Sequence, residues 1–270
     1  MAITTADGWF AAAKQRVIMQ KTTALTTVAI LPFSLWATAG NPGAGVFTLV
    51  AVTAGAVPTD VTAGAPIINT FGSGATGYLA AGRFRGSVLG GLTLYDRLFH
   101  SGTYTTVGAP TTTLSGQPSY SSRVPGGSDF TSTEILLEFV VTMTAAGTTV
   151  TITYTNQSGT PGRTTGAVSI SSTTAFVAGR VLSMPLQAGD SGVQKIESVV
   201  ITTASTGQFN VVVGRRLADF DMRVVNGLDA QAWDMIGGPI VFADSCLWMV
   251  SNADSTSSGL PTLALDIING

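Results

Sequence analysis

The chain has 270 residues and 13 Lys/Arg against 15 Asp/Glu, for a net charge of −2. Charged residues make up 10% of it, against roughly 25% in an average soluble protein. That balance argues against nucleic-acid binding, which needs several clustered cations to meet phosphates. One cysteine (Cys246) and one histidine (His100) exclude a disulfide framework and a histidine-based metal centre.

Hydrophobic residues reach 45%, but they are largely Ala and Val scattered among Thr, Ser and Gly, and this is not a membrane pattern. A surface with so few charges resists self-association poorly. It suits a protein that packs against copies of itself or against a lattice.

Residues 6–21 predict a helix, with Asp7 as N-cap and Phe10, Ala13, Val17 and Gln20 on one stripe. Thr22 to Gly40 carries no charge and ends in Ala37-Thr38-Ala39 behind Lys14, Arg16 and Lys21, as a signal peptide would. A leader ending at Ala39 exceeds the usual range of roughly 15–30 residues. Asp7 in its basic region, Pro32 and the threonines also weigh against secretion and against a membrane span. Residues 26–38 read as short strands broken at Pro32. Together 1–45 form an expected N-terminal helix and extended arm, and 46–270 a β-rich body, strongest over 133–270.

Within that body, 39–82 reads as a long loop with a turn at Asn41-Pro42-Gly43 and a strand over Val46–Val52. Ser87–Leu98 predicts a strand with a glycine bulge at Gly90-Gly91. Residues 101–130 read as an extended excursion. Strands at 135–144 and 148–155 predict a hairpin through Ala145-Ala146-Gly147. Thr149, Thr151 and Thr153 alternate there with Val150, Ile152 and Tyr154. Further strands fall at 166–171, 180–187, 193–203, 207–216, 240–250 and 262–268, with turns at Gly189-Asp190-Ser191-Gly192 and Ser205-Thr206-Gly207. Short strands near ten-residue spacing predict an all-β fold: an antiparallel β-sandwich or jelly-roll-like body with a short N-terminal helix and long extended loops.

Little of this carries chemistry. No Gly-x-Ser-x-Gly elbow accompanies His100, which reads as a loop or interface residue. Cys246, in an apolar run, reads as a small buried side chain. Asp219 and Asp221 flank Phe220 and share a face if they lie in a strand, as a hydrolase pair or a Ca²⁺ site would require. Salt bridges to Arg215, Arg216 or Arg223 are the plainer reading. Arg215-Arg216 reads as a strand end at solvent or a subunit contact. Asn156-Gln157-Ser158 is a glycosylation sequon, relevant only to a secreted chain. No enzyme, cofactor or metal is expected.

Several stretches resemble structural proteins of tailed bacteriophages: Phe33-Ser34-Leu35-Trp36-Ala37-Thr38-Ala39-Gly40-Asn41-Pro42-Gly43-Ala44-Gly45, Leu94-Tyr95-Asp96-Arg97-Leu98-Phe99-His100-Ser101-Gly102, Tyr154–Thr164 and Leu186–Val193. The resemblance extends over most of the chain. It implies a virion location and a capsid decoration (cement) or minor capsid protein that stabilises an icosahedral head. It further implies the major capsid protein and copies of itself, often as a homotrimer, as partners, with no nucleic acid and no membrane. Trp9, Phe10, Phe33 and Trp36 are the candidate interface anchors, with core packing as their alternative role. A tail, baseplate or head-spike component and a carbohydrate-binding adhesin module remain as alternatives.

Overall fold

A computed structural model describes residues 3, 5–73, 75–144, 147–171 and 174–270. In chain order its elements are α1 (Ala6–Ala11), β1 (Ala13–Lys21), β2 (Pro32–Ser34), β3 (Gly40–Asn41), β4 (Gly77–Arg85), β5 (Gly90–Thr105), β6 (Thr111–Thr113), β7 (Thr133–Val141), β8 (Thr149–Asn156), β9 (Arg163–Thr164), β10 (Val168–Ser169), β11 (Val181–Met184), β12 (Val193–Ile201), β13 (Gln208–Met222), β14 (Asp229–Ala232), α2 (Trp233–Ile236), β15 (Ile240–Val241), β16 (Leu247–Ala253) and β17 (Thr262–Asn269). The fold is all-β and sandwich-like, as expected, but it is built from three sheets. Sheet I runs β14-β4-β17-β1-β3, with β15 also on β4. Sheet II runs β11-β7-β13-β5-β16-β2. Sheet III runs β10-β8-β12-β6, with β9 also on β8. The pairings are antiparallel.

Two long strands organise the molecule. β5 has 16 residues and β13 has 15, and they pair along nearly their whole length in the middle of sheet II. The register shifts at Phe209/Val211, at Val213/Gly214 and at Arg216/Ala218. Each inserted residue reverses the inward–outward alternation of its strand. Phe209, Val211 and Val213 therefore share a face with Ala218, Phe220 and Met222, although their parities differ. One end of that face packs on sheet III, joining Phe99, Phe139 and Val211 to Ile152, Tyr154 and Ile196. The other end packs on sheet I, joining Leu92, Leu94 and Phe220 to Val17, Phe84 and Leu265. The opposite face carries Tyr95, Leu136, Val212 and Trp248 beneath Trp36. Each such large apolar side chain contributes about 1.5–3 kcal/mol on burial.

Several expectations are corrected. The helix stops at Ala11, and Thr5, not Asp7, caps it by accepting from the Gly8 N–H (3.1 Å). Residues 13–21 are strand β1, in which 13–20 pair residue for residue with β17. Val17, Met19 and Lys21 point inward, an alternation of two that outweighs the modest helix preference of Lys, Gln, Arg and Met. Buried Lys21 donates from Nζ to the carbonyls of Thr38 (3.0 Å) and Pro42 (3.2 Å). The stretch read as an arm is thus woven into the body, with β1 in sheet I and β2 in sheet II.

Val46–Val52 forms no strand: it is tied to the sheet at single points, where Asn210 Nδ2 donates to Phe47 O (2.8 Å), Leu49 N donates to Thr103 Oγ1 (2.8 Å) and Thr103 N donates to Leu49 O (2.7 Å). The expected hairpin does not form. β7 pairs with β13 and β11, while β8 crosses the sandwich to pair with β12. Ala145 and Ala146 of its proposed turn lie outside the described residues. Within 101–130, β5 runs on to Thr105, and β6 and short 3-10 turns at Ser121–Arg123 and Pro125–Gly127 follow. The single strand expected over 240–250 is two, β15 and β16. Gly90 and Gly91 make no bulge. They pair regularly with β13 and β16, and a Cβ on Gly90 would stand 2.3 Å from the Asn252 carbonyl oxygen.

Candidate interaction surface

The polar residues singled out by sequence divide between buried structural groups and exposed ion pairs. Asp96 and Arg97 are adjacent in β5, so they point to opposite faces of sheet II. Asp96 lies at the junction of the two cores. It accepts from Arg123 Nη2 (2.7 Å), Ser245 Oγ (2.7 Å) and Cys246 N (3.0 Å), with Arg215 at 3.6 Å. Arg215 is therefore not a strand end in solvent. Its side chain is buried, and desolvation lowers its pKa.

On the other face Arg97 is clamped bidentately by Glu138 (2.8 and 3.0 Å). Its guanidinium also lies 4.8 Å from the Trp36 ring centroid and 5.0 Å from that of Trp248. Glu138 accepts further bonds from Ser34 Oγ (2.6 Å) and Asn210 Nδ2 (3.1 Å). Burial pushes the Glu138 carboxyl up, but Arg97 and these hydrogen bonds outweigh it and hold it below the usual carboxylate range.

His100 lies in β5, not in a loop, and is buried. Burial, and then the Arg97 charge, lower its pKa to about 3, against the opposing pull of Glu138. Arg97 Nε donates to its Nδ1 (3.2 Å). Cys246 is buried as expected, and burial pushes its thiol up to about 12. Asp219 and Asp221 do share an exposed face, and each engages an arginine: Arg216–Asp219 at 2.6 Å and Arg223–Asp221 at 3.1 Å.

The surface has three notable zones. The first is an aromatic pocket of about 310 Å³ at one end of sheet I, lined by Trp9, Phe10, Tyr78 and Trp233 with Gly237-Gly238. Trp9 holds it together, 5.7 Å from Tyr78 and 5.6 Å from Trp233 between ring centroids. A Cβ on Gly238 would touch the Trp9 ring at 3.0 Å. A second hollow is lined by Met235 of α2 with Leu228 and Val224, and by Asp221, Arg223 and Asp229. Phe10, Trp233, Met235, Leu228, Val224 and Val225 are all exposed. The turn bearing Val224 and Val225 is closed by Gly227 N–H to Val224 O (2.8 Å), with Asn226 left-handed at φ 59°.

The second zone is the outer face of sheet I, where strand pairing gathers Lys14, Arg16, Arg83 and Arg85. Asp266 ties Arg16 (2.8 Å) and Arg83 (2.7 Å). The third is the loop crest. From Thr22 to Gly82 the only charged residue is Asp60, and it is buried, accepting from Ile68 N (3.1 Å). Val46, Val50, Val61 and Ile67 project from that stretch, Val50 at 97% exposure.

Of the four candidate anchors, Trp9 and Phe10 line the aromatic pocket. Phe33 and Trp36 are core residues, and the Trp36 indole N–H donates to Val46 O (3.1 Å). Sequence reading missed Tyr78 and Trp233, since it is the pairing of β4 with β17 and with β14 that brings them to Trp9. Among the described residues no helix is long and apolar enough to cross a membrane.

Fold and surface together define a β-sandwich protein whose buried charges brace its sheets and whose exposed apolar groups gather in patches. No protein-family model matches the chain, and no curated protein matches it. Solved structures similar to it include the VP2 subviral particle of infectious bursal disease virus (9% identity, 96% of this chain and 80% of that chain, TM-score 0.18). Infectious bursal virus derived T=1 particles (9%, 96% and 77%, 0.18) and the Gt strain of that virus (10%, 95% and 81%, 0.18) are others. Superposition at that level does not define a shared fold.

Proposed function

We propose that this chain is a virion structural protein, a capsid decoration (cement) or minor capsid component. In this reading it binds the major capsid protein on the icosahedral head, together with copies of itself as a homotrimer, and performs no catalysis. The observation that carries the reading is the stretch from Thr22 to Gly82, whose one charged residue, Asp60, is buried while Val46, Val50, Val61 and Ile67 in its loops are exposed. A crest without charges pays little desolvation when it is covered, which favours burial against a neighbour. The resemblance to tailed-phage structural proteins supports the particle as the place where that neighbour is found. The test is cryo-electron microscopy of the purified particle. Density for this chain over the head supports the proposal. Density on the tail alone, or no copies in the particle, overturns it.

The aromatic pocket favours a second reading, a carbohydrate-binding module in which Trp9, Tyr78 and Trp233 stack on a sugar. Glycan-array binding that disappears in Trp233→Ala would support it. For the absence of catalysis, the salt-bridged Asp219 and Asp221 are the residues to test. Hydrolase activity that is lost in the Asp219→Asn/Asp221→Asn double variant would refute it.

A further inference from the structure

We infer that the outer face of sheet I, together with the aromatic pocket at its end, binds an acidic saccharide chain whose sugars carry carboxylate or sulfate groups. The inference rests on the second reading above, in which Trp9, Tyr78 and Trp233 stack on a sugar, and it names the class of that sugar.

The first observation is where the free cations stand. Of the 13 Lys and Arg side chains, Lys21, Arg97, Arg123, Arg180 and Arg215 are buried. Arg163, Arg216 and Arg223 are each paired with an acid of their own. Of those that remain, Lys195 is in β12 of sheet III, and Lys14, Arg16, Arg83 and Arg85 all stand on this one face. Asp266 is shared by Arg16 (2.8 Å) and Arg83 (2.7 Å). Among the described residues Lys14 and Arg85 have no ion-pair partner. The alternation of β14 keeps its acid off the face. Ala230 stands beside Arg83, while Asp229 turns to the opposite side and accepts from Asp221 N (3.0 Å).

The second observation is continuity. Lys14, Ile268 and Tyr78 lie side by side on β1, β17 and β4. The basic face therefore runs directly into the pocket that Tyr78 lines with Trp9 and Trp233. Beyond it, Lys14, Arg16, Arg83 and Asp266 line a hollow of about 470 Å³. At about 3.3 Å per residue, β4 covers roughly 23 Å from Tyr78 to Arg85, a length for several sugar rings rather than one.

The third observation selects a saccharide over other polyanions. Guanidinium groups take carboxylate and sulfate oxygens in pairs, and the aromatic end offers faces for a sugar ring. Asp266, standing among the cations, repels a phosphate backbone but accepts from hydroxyls. Its oxygens already accept from Arg16 (2.8 and 3.3 Å) and Arg83 (2.7 Å), which leaves about one lone-pair site open. Asp7 and Asp234 are exposed on the two helices that carry Trp9 and Trp233. The pocket thus takes an uncharged part of the chain, and the acidic groups fall over Lys14 to Arg85.

The experiment is binding of the full chain, by biolayer interferometry, to polygalacturonate and dextran sulfate and to their uncharged counterparts, carboxyl-reduced polygalacturonate and dextran. Polyglutamate and oligo(dT) supply charge without a saccharide chain. Wild type is expected to bind an acidic polysaccharide about tenfold or more tightly than its uncharged counterpart. The double variant Lys14→Gln/Arg85→Gln touches no ion pair and is expected to erase that preference. Trp233→Ala is expected to weaken acidic and uncharged polysaccharides alike, and Lys195→Gln to match wild type. Near-UV circular dichroism confirms that each variant is folded. Equal binding of acidic and uncharged polysaccharides overturns the inference and leaves the carbohydrate reading standing, as does a preference that survives in the double variant. Polyglutamate or oligo(dT) bound as tightly as the acidic polysaccharides, with Trp233→Ala without effect, marks a general polyanion surface and overturns the inference too. No binding to any of the polysaccharides overturns both.

Discussion

Replacing Glu138 by Gln should be among the most damaging single-atom changes available in this protein. Glu138 is fully buried in β7 and balances the equally buried Arg97 through two hydrogen bonds of 2.8 and 3.0 Å. The amide removes the counter-charge and turns one acceptor into a donor facing the guanidinium. Arg97 keeps one amide oxygen, the rings of Trp36 and Trp248 and the His100 Nδ1 around it, but no counter-charge in contact. Stranding a buried charge in this way costs about 3–5 kcal/mol, a large fraction of a total stability of about 5–15 kcal/mol. At roughly 2–4 °C per kcal/mol for a chain of this size, Tm should fall by roughly 6–20 °C. Thermal unfolding at pH 7, followed by far- and near-UV circular dichroism, measures it. The double variant Arg97→Met/Glu138→Leu strands no charge, and at about 1–3 kcal/mol each it leaves the partners Ser34 and Asn210 short of a bond. It should be less damaged than the sum of its two single variants. A Glu138→Gln protein within about 1 kcal/mol of wild type would refute the reasoning, and so would a double variant worse than that sum.

Other outcomes follow from the same contacts. His100 has a folded pKa near 3, against about 6.5 in an unfolded chain. The unfolded state therefore binds the extra proton first, and stability should decline as pH falls from about 6.5 towards 3. Denaturant titrations at several pH values should show that slope flattened in His100→Gln. Amine acetylation of the native protein should modify the exposed Lys14 and Lys195 and spare the buried Lys21, and mass spectrometry after denaturation should recover Lys21 reactivity. Gly82→Ala places a Cβ 2.2 Å from the Phe220 ring. It should destabilise by about 1–3 kcal/mol in urea unfolding, whereas the exposed Asp219→Asn should change stability by less than about 1 kcal/mol. Asp190, held at about 2 chiefly by Arg163 and further by bonds from Asn156 and Tyr154, should contribute stability above pH 4 that is lost as pH falls towards 2, and Arg163→Gln should weaken that dependence without abolishing it.

The sequence was most readable where burial on one side of a strand alone decides the pattern. In β8 the alternation of Thr149, Thr151 and Thr153 with Val150, Ile152 and Tyr154 is reproduced residue by residue. It was least readable where the partner is distant in sequence. β1 lies about 250 residues from β17, and nothing local in Ala13–Lys21 records that pairing, so its helix-forming residues pointed the wrong way. β7 and β8 each have strand-like sequences, but neighbouring strands join as a hairpin only when they share a sheet. Here the partner of β7 is β13, and that of β8 is β12. The bulges at Leu98 and Leu217 invert parity in the two longest strands, so that a fixed period drawn through them would assign half of each to the wrong face.

The surfaces follow the same rule. Trp9 and Phe10 stood out because aromatics are scarce and these two are adjacent, yet Phe33 and Trp36 were equally conspicuous and proved to be core. What separates the two pairs is position in the sheets. Phe33 is in β2, at the edge of sheet II, where Arg180 and β16 cover it, and Trp36 stacks on the buried Arg97. Trp9 precedes β1 and meets Tyr78 of β4 and Trp233 of α2 at one end of sheet I. The weakly charged crest, by contrast, is visible in sequence alone, since a run of 61 residues with a single ion needs no tertiary pairing to exist. What the fold adds is that Asp60, its one acid, is turned inward onto Ile68 N, which leaves the outward face of that run without a formal charge.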